Sequence, residues 1–125
     1  MTAEEQTTHI GGIAEQVAAD YLRQRGYTVI LQNYRCQIAE VDIIAKDGDV
    51  LCFVEVKMRT AGEQGHPLES ITPRKQRKIS LAALTYLQEQ DLCDRQIVRF
   101  DVVAITLESE ICDVQLVKGA FDSCF

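Results

Sequence analysis

Long apolar runs are missing from this chain. Charged residues interrupt every hydrophobic stretch well short of the roughly 18 residues that a membrane-spanning helix needs, which excludes a helical membrane protein. Five cysteines, Cys36, Cys52, Cys93, Cys112 and Cys124, form no CxxC pair and no metal-ligand spacing, and an odd number cannot all pair within one chain. Reduced thiols are the expectation, with Cys36, Cys52 and Cys112 as small buried hydrophobes rather than nucleophiles. The acidic, polar residues 1–8 lack the basic start and apolar run of a secretory signal, so a cytoplasmic location is expected. No repeat, biased tract or Pro/Gly-rich segment marks a linker. A basic excess is also missing: the net charge of −6 excludes a protein that coats nucleic acid by bulk charge. Any phosphate contact must be local.

What is present fits one domain over residues 1–125, with 1–10 as a flexible N-terminal tail. At 125 residues, 46% hydrophobic and 26% charged, the chain can bury one core. Ala14, Val17, Ala18, Tyr21 and Leu22 recur at helical spacing, predicting a helix over about 12–25 that stops at Gly26. Strand-like segments follow at about 27–35, 38–46 and 50–59. Between the second and third, Lys46-Asp47-Gly48-Asp49 signals a hairpin. Residues 60–71, with Gly62, Gly65 and Pro67, read as a loop or flap. Thr72 then caps a second helix with Pro73 at its first position, and Ile79, Ala82, Ala83, Tyr86 and Leu87 share one face. Strands at about 96–106 and 112–117 complete the order αβββαββ. The expected fold is α/β, a central mixed sheet flanked by helices.

The chemistry lies in the hairpin. Period-two alternation puts Glu40, Asp42 and Ile44 on one face of the second strand, opposite Val41, Ile43 and Ala45; in the third, Leu51, Phe53, Glu55 and Lys57 share a face. A turn about Asp47-Gly48 sets Asp42 diagonal to Glu55. A turn about Gly48-Asp49 sets them directly opposite, and a three-residue loop would send them to opposite faces. Two carboxylates roughly 5 Å apart repel by about 3 kcal/mol at an effective dielectric near 20. A divalent cation held by Asp42, Glu55, the Val56 backbone carbonyl and water would offset that, and Mg²⁺ or Mn²⁺ suits an all-oxygen site. Lys57 is then placed to orient or deprotonate an attacking water, or to stabilise charge developing on a phosphate. Glu40 is a further ligand candidate, or else pairs with Arg35 or Arg59. The ordinary alternative is an ion pair of Glu55 with Lys57 on a solvated sheet face. A lone Glu-x-Lys would mean no more than that, but an Asp at matching parity on the hairpin partner and apolar flanks favour a site.

The helix, the Asp-bearing strand and the Glu-x-Lys strand resemble the PD-(D/E)XK nuclease superfamily, with Val41-Asp42 and Glu55-Val56-Lys57 as its two halves. Ala14-Glu15, Tyr21-Leu22, Gly26-Tyr27, Asn33-Tyr34-Arg35, Ala39-Glu40-Val41-Asp42, Phe53 to Arg59, Thr72 to Gln76 and Arg99 to Val103 resemble, more closely, the YraN-type family of uncharacterised bacterial proteins. The chain departs from that family at Ala39, where Gly is usual, and from the superfamily at Val41, where Pro stands. The resemblance implies a restriction-endonuclease-like core and a catalytic set of Asp42, Glu55 and Lys57. It adds Glu15 from the first helix as a further catalytic and metal-binding residue; the alternative is an exposed helix acid. It also implies a metal-dependent nuclease hydrolysing DNA phosphodiester bonds. Branched, nicked or single-stranded DNA is the expected substrate, because no sequence-reading module is present. A catalytically inactive nucleic-acid-binding or protein-interaction module is the alternative.

Arg74, Lys75, Arg77 and Lys78 crowd the start of the second helix, where the macrodipole favours anions. A phosphate backbone would satisfy both the amides and the basic side chains. With Gln76, Arg59 and Arg35 they form the expected nucleic-acid-binding set; the ordinary alternative is a solvated helix face with Glu63 and Glu69 nearby. Asp101, inside an apolar strand, is expected to anchor a basic neighbour. Symmetric cutting of two strands would require a homodimer.

Overall fold

The computed structural model describes residues 3–60, 67–108 and 110–124, with side chains for 12–60, 69–108 and 110–124. Helix α1 (Ala3–Gln24) is followed by strands β1 (Thr28–Arg35), β2 (Glu40–Asp47) and β3 (Val50–Thr60), helix α2 (Pro73–Glu89), and strands β4 (Ile97–Glu108) and β5 (Ile111–Phe121). The strands lie in one sheet in chain order, all antiparallel except β3 and β4. That parallel pair needs a long crossover, and α2 supplies it. The expected mixed sheet with two helices, in the order αβββαββ, is what forms.

Each helix closes as its sequence signals direct. At the end of α1, Gly26 takes φ 91°, so that Tyr27 N–H reaches the Leu22 carbonyl at 3.0 Å and Gly26 N–H reaches that of Arg23 at 3.1 Å, a Schellman closure. At the start of α2, Thr72 Oγ1 accepts from Lys75 N–H at 3.2 Å, with Pro73 following. Helix α1 starts at Ala3 rather than near Gly12, so the segment expected as a tail has helical backbone. Ala3, Glu4, Glu5 and Gln6 are good helix formers, and acids suit a helix N-terminus. Strand β5 runs to Phe121, four residues past its expected end. Within the expected loop, Pro67–Ser70 form a 3-10 turn, while 61–66, the proposed flap with Gly62, Glu63 and Gly65, lie outside the described residues.

Two cores sandwich the sheet. On one face Ala14, Ala18, Ala19 and Leu22 of α1 pack on Ile43, Ala45, Cys52, Val54, Val103 and Ile105. On the other, Ile79, Ala82, Ala83, Tyr86 and Leu87 of α2 pack on Val41, Ile44, Leu51, Phe53 and Phe100. A chain of rings runs beneath α2, from Tyr34 edge-on to Tyr86 (5.3 Å between centroids), through Phe53 and Phe100, to Phe121 stacked at 4.9 Å. Of the three strand cysteines only Cys52 is fully buried, and burial pushes its thiol up to about 12, which rules out a nucleophile. Cys36 is half-buried and Cys112 exposed, because Cys36 falls just past the end of β1 and Cys112 lies on the edge strand.

Asp101 is wholly buried and anchors a basic neighbour as expected. Arg99 grips it with Nε at 2.8 Å and Nη2 at 2.9 Å; the Tyr27 hydroxyl donates to it at 2.9 Å and Gly119 N–H at 3.0 Å. Arg99 also reaches Asp47 at 2.8 Å, where Lys118 joins at 3.2 Å. The network ties β5 and the α1–β1 junction to the hairpin end of the sheet. Removing one partner of a buried pair leaves the other charge uncompensated. Asp101→Ala should therefore lower stability by about 3–5 kcal/mol in a denaturant titration. Arg95→Ala, which breaks an exposed pair with Asp91, should cost less than about 1 kcal/mol; equal losses would contradict this assignment.

Candidate metal centre

The site begins with the hairpin register. Gly48, at φ 61°, occupies the first turn position, and the pairing runs from Asp47 opposite Val50 to Ile43 opposite Val54. Of the two registers open from the sequence this is the one turning about Gly48-Asp49, and its continuation points Asp42 at Glu55. The ladder stops there. The alternation of bonded and non-bonded pairs makes Val41 the next backbone partner for Val56. Instead Val56 N–H donates to Asp42 Oδ2 at 2.8 Å, so a carboxylate takes a ladder position where the two strands part. Strict alternation fails at the same point: Val41 packs with Ile44 beneath α2 and not with Ile43 and Ala45, as period two predicts.

Four acids gather at this parting. Glu15 of α1, Glu40 and Asp42 each offer a carboxylate oxygen within 4.8 Å of the other two. Glu55, 7% exposed, lines the same pocket as Glu40 and Asp42, a cavity of about 340 Å³ completed by Ile38, Ala39, Lys75, Lys78 and Ile79. Burial, then the charge of Glu55, pushes Asp42 up to about 7, against the pull of the Val56 amide. Burial also raises Glu15, partly offset by a hydrogen bond from the Asn33 side chain. Asn33 itself stands at φ 57°, a left-handed conformation that Asn tolerates better than most residues. Sequence pattern alone does not mark it as a site residue; its one signal is an Asn among strand formers.

The basic residues divide. Lys75, from the first turn of α2, reaches across to Glu55 at 2.5 Å, so the anion that this helix start demands is supplied first by the protein itself. Glu40 pairs with Arg35 across β1 and β2 at 3.6 Å. Gln76 spends its side-chain amide on the Ile71 carbonyl at 3.0 Å, steadying the entry to α2. Arg74, Arg77 and Lys78 are exposed on that helix, and Glu69 is exposed just before it. Lys57 and Arg59 are half-buried on β3, and among the described residues no ion pair engages Lys57.

A hard, all-oxygen donor set with surplus negative charge fits Mg²⁺ or Mn²⁺. It also carries a pH signature in the protein without divalent ions. Asp42 holds its proton more tightly folded (about 7) than unfolded (roughly 3.9), so its contribution to stability is present at low pH and is lost as pH rises toward 7 and beyond. In chelator, Asp42→Asn should be more stable than the wild type by about 2 kcal/mol at pH 8, with the difference shrinking at pH 5. Thermal unfolding at the two pH values checks this, and parallel profiles for the two proteins would contradict it.

Comparison with known proteins places the chain. The profile of the family described as "Uncharacterised protein family UPF0102" matches residues 14–105. A UPF0102 protein of Syntrophus aciditrophicus is 46% identical over 120 residues, covering 96% of this chain and 94% of the relative. One of Chlorobium phaeobacteroides is 49% identical over 102 residues, covering 81% and 80%, and one of Desulforapulum autotrophicum 42% over 120 residues, covering 96% and 98%. The chain belongs to UPF0102, the YraN-type family of uncharacterised bacterial proteins whose motifs its sequence carries.

Proposed function

We propose that this protein is a metal-dependent nuclease with a restriction-endonuclease-like core, hydrolysing phosphodiester bonds in DNA of irregular structure. The observation that carries the reading is the gathering of Glu15, Glu40 and Asp42 within 4.8 Å beside buried Glu55, at the point where β2 and β3 part. So many carboxylates gathered so closely make a stable fold only if protons, lysines or a cation offset them. Glu15, Glu40, Asp42 and Glu55, with the Val56 carbonyl, would hold Mg²⁺ or Mn²⁺. The ion, when bound, supplies Lewis-acid polarisation of a phosphoryl oxygen and neutralises charge.

The remaining roles fall to the chain. Hydrolysis forms a bond from a water oxygen to phosphorus and breaks one phosphorus–oxygen ester bond; the water gives up a proton and the departing oxygen gains one. Lys57 orients that water or stabilises charge on the phosphate. Arg74, Arg77 and Lys78, exposed on α2 beside the pocket, hold neighbouring phosphates, with Arg59 and Arg35 flanking them. Symmetric cutting of a two-stranded junction would add a second copy of the chain.

One observation favours the second reading, a module that binds nucleic acid without turnover: Lys75 already neutralises Glu55. The two readings separate in one experiment. Purified protein incubated with branched, nicked and single-stranded DNA plus Mn²⁺ should cut. Asp42→Ala and Lys57→Ala should each lower the rate by about 100-fold or more. Arg74→Glu combined with Arg77→Glu should weaken DNA binding and its salt dependence. Metal-independent binding without product would support the module instead, and equal cleavage by all variants would contradict the site.

A further inference from the structure

A second concavity lies across the turn at residues 36–39 from the acids. Its cavity of about 340 Å³ is lined by Arg35, Cys36, Gln37, Ile38, Thr85 and Glu89, within the roughly 300–1,000 Å³ typical of small-ligand pockets. Ile38 lines the acid pocket as well, so this one side chain is a wall common to both. The turn that carries it is tight: Cys36 N–H donates to the Ala39 carbonyl at 3.0 Å, and the Cys36 thiol donates to the same oxygen at 3.4 Å. Ile38 is 46% exposed, an apolar side chain held at the lip of a charged pocket, where burial in the core does not account for it.

The cavity beyond Ile38 is lined by hydrogen-bonding groups suited to a ligand with polar edges. Glu89 accepts the Tyr34 hydroxyl through Oε1 at 2.7 Å, which steadies its carboxylate and leaves Oε2 as an acceptor. Thr85 donates its hydroxyl proton to the Leu81 carbonyl at 3.0 Å, so its oxygen also remains an acceptor. Gln37, exposed on the turn, carries both a donor and an acceptor. Acceptors of this kind suit the exocyclic amino groups of bases. Arg35 lines this cavity while its guanidinium lies 3.6 Å from Glu40, bridging the rim between the two pockets.

We propose that this cavity receives an unpaired nucleobase next to the phosphate held at the acids, with Ile38 as the wedge that parts this base from its neighbour. Apolar side chains driven between base steps are a recurrent means of unstacking, and a base taken from its stack needs a pocket to enter. The substrate class is then single-stranded or locally unpaired nucleic acid, and continuous duplex is disfavoured because its bases stay stacked. This inference rests on the nuclease reading of the acid pocket.

The full chain tests it, in a Lys57→Ala background that suppresses cleavage. The protein is titrated with Mn²⁺ present into a short single-stranded oligodeoxynucleotide carrying 2-aminopurine, and into the same strand annealed to its complement. Calorimetry measures Mn²⁺ binding in parallel, and cleavage is followed without the background substitution. The single strand should bind about tenfold tighter than the duplex, with a rise in 2-aminopurine fluorescence as the base unstacks. Adding Ile38→Ala, at an exposed position, or Thr85→Gln, which fills the cavity, should cut that preference about fivefold while Mn²⁺ still binds. Equal affinity for the two DNA forms, or variants that keep the preference and the fluorescence rise, would overturn the base pocket alone, provided Mn²⁺ binds and DNA is cut. Absence of both Mn²⁺ binding and cleavage would overturn the nuclease reading and the base pocket together.

Discussion

The hydrogen bond from Val56 N–H to Asp42 organises this end of the molecule. It replaces a rung of the β2–β3 ladder with a side-chain carboxylate, so the strands separate where their acids lie. Separation opens the pocket, which Lys75 enters from α2, while Glu15 of α1 approaches Glu40 and Asp42 from the other side of the sheet. Without that substitution the two strands would zip on past Asp42 and leave no room for a ligand. The mutual repulsion of the acids is then a consequence of how the backbone is arranged.

The two ends of the sheet settle their charge differently. At the hairpin end Asp47 and Asp101 face Arg99 and Lys118 at 2.8–3.2 Å, with Tyr27 and Gly119 adding donors to Asp101. That end is balanced. At the other, the four acids Glu15, Glu40, Asp42 and Glu55 have fewer close cations: Lys75 pairs with Glu55, Arg35 stands 3.6 Å from Glu40, and Lys78 lines the pocket without an ion pair to any of them. Burial there keeps Asp42 protonated toward neutral pH. A structural network is built the first way; an under-compensated pocket that a cation can enter is built the second way.

Much of this was legible from residue pattern alone, because hairpin parity and the 3.6-residue period depend on local rules. Gly48 marks a hairpin without choosing between a turn about Asp47-Gly48 and one about Gly48-Asp49, Thr72-Pro73 marks the start of α2, and the buried apolar faces of both helices follow. What escaped depends on long-range geometry. Val41 changes core because the ladder ends, which no alternation rule foresees. Lys75 reads as a phosphate contact until the fold brings Glu55 beneath it. Asn33 looks like a misplaced strand residue until its left-handed backbone is seen beside Glu15. The helical start at Ala3 was hidden by polarity that suits a tail and a helix N-terminus equally well.

If the parted strands make a pocket for a divalent cation, the ion must bind there in solution. Electron paramagnetic resonance of Mn²⁺ titrated into the protein measures that binding, since the sharp signal counts the free ion and the bound ion follows by difference from the total. One tightly held Mn²⁺ per chain is expected in the wild type, lost in Asp42→Ala and retained in Asp101→Asn. Failure of the wild type to bind Mn²⁺, or binding that survives Asp42→Ala unchanged, would contradict it.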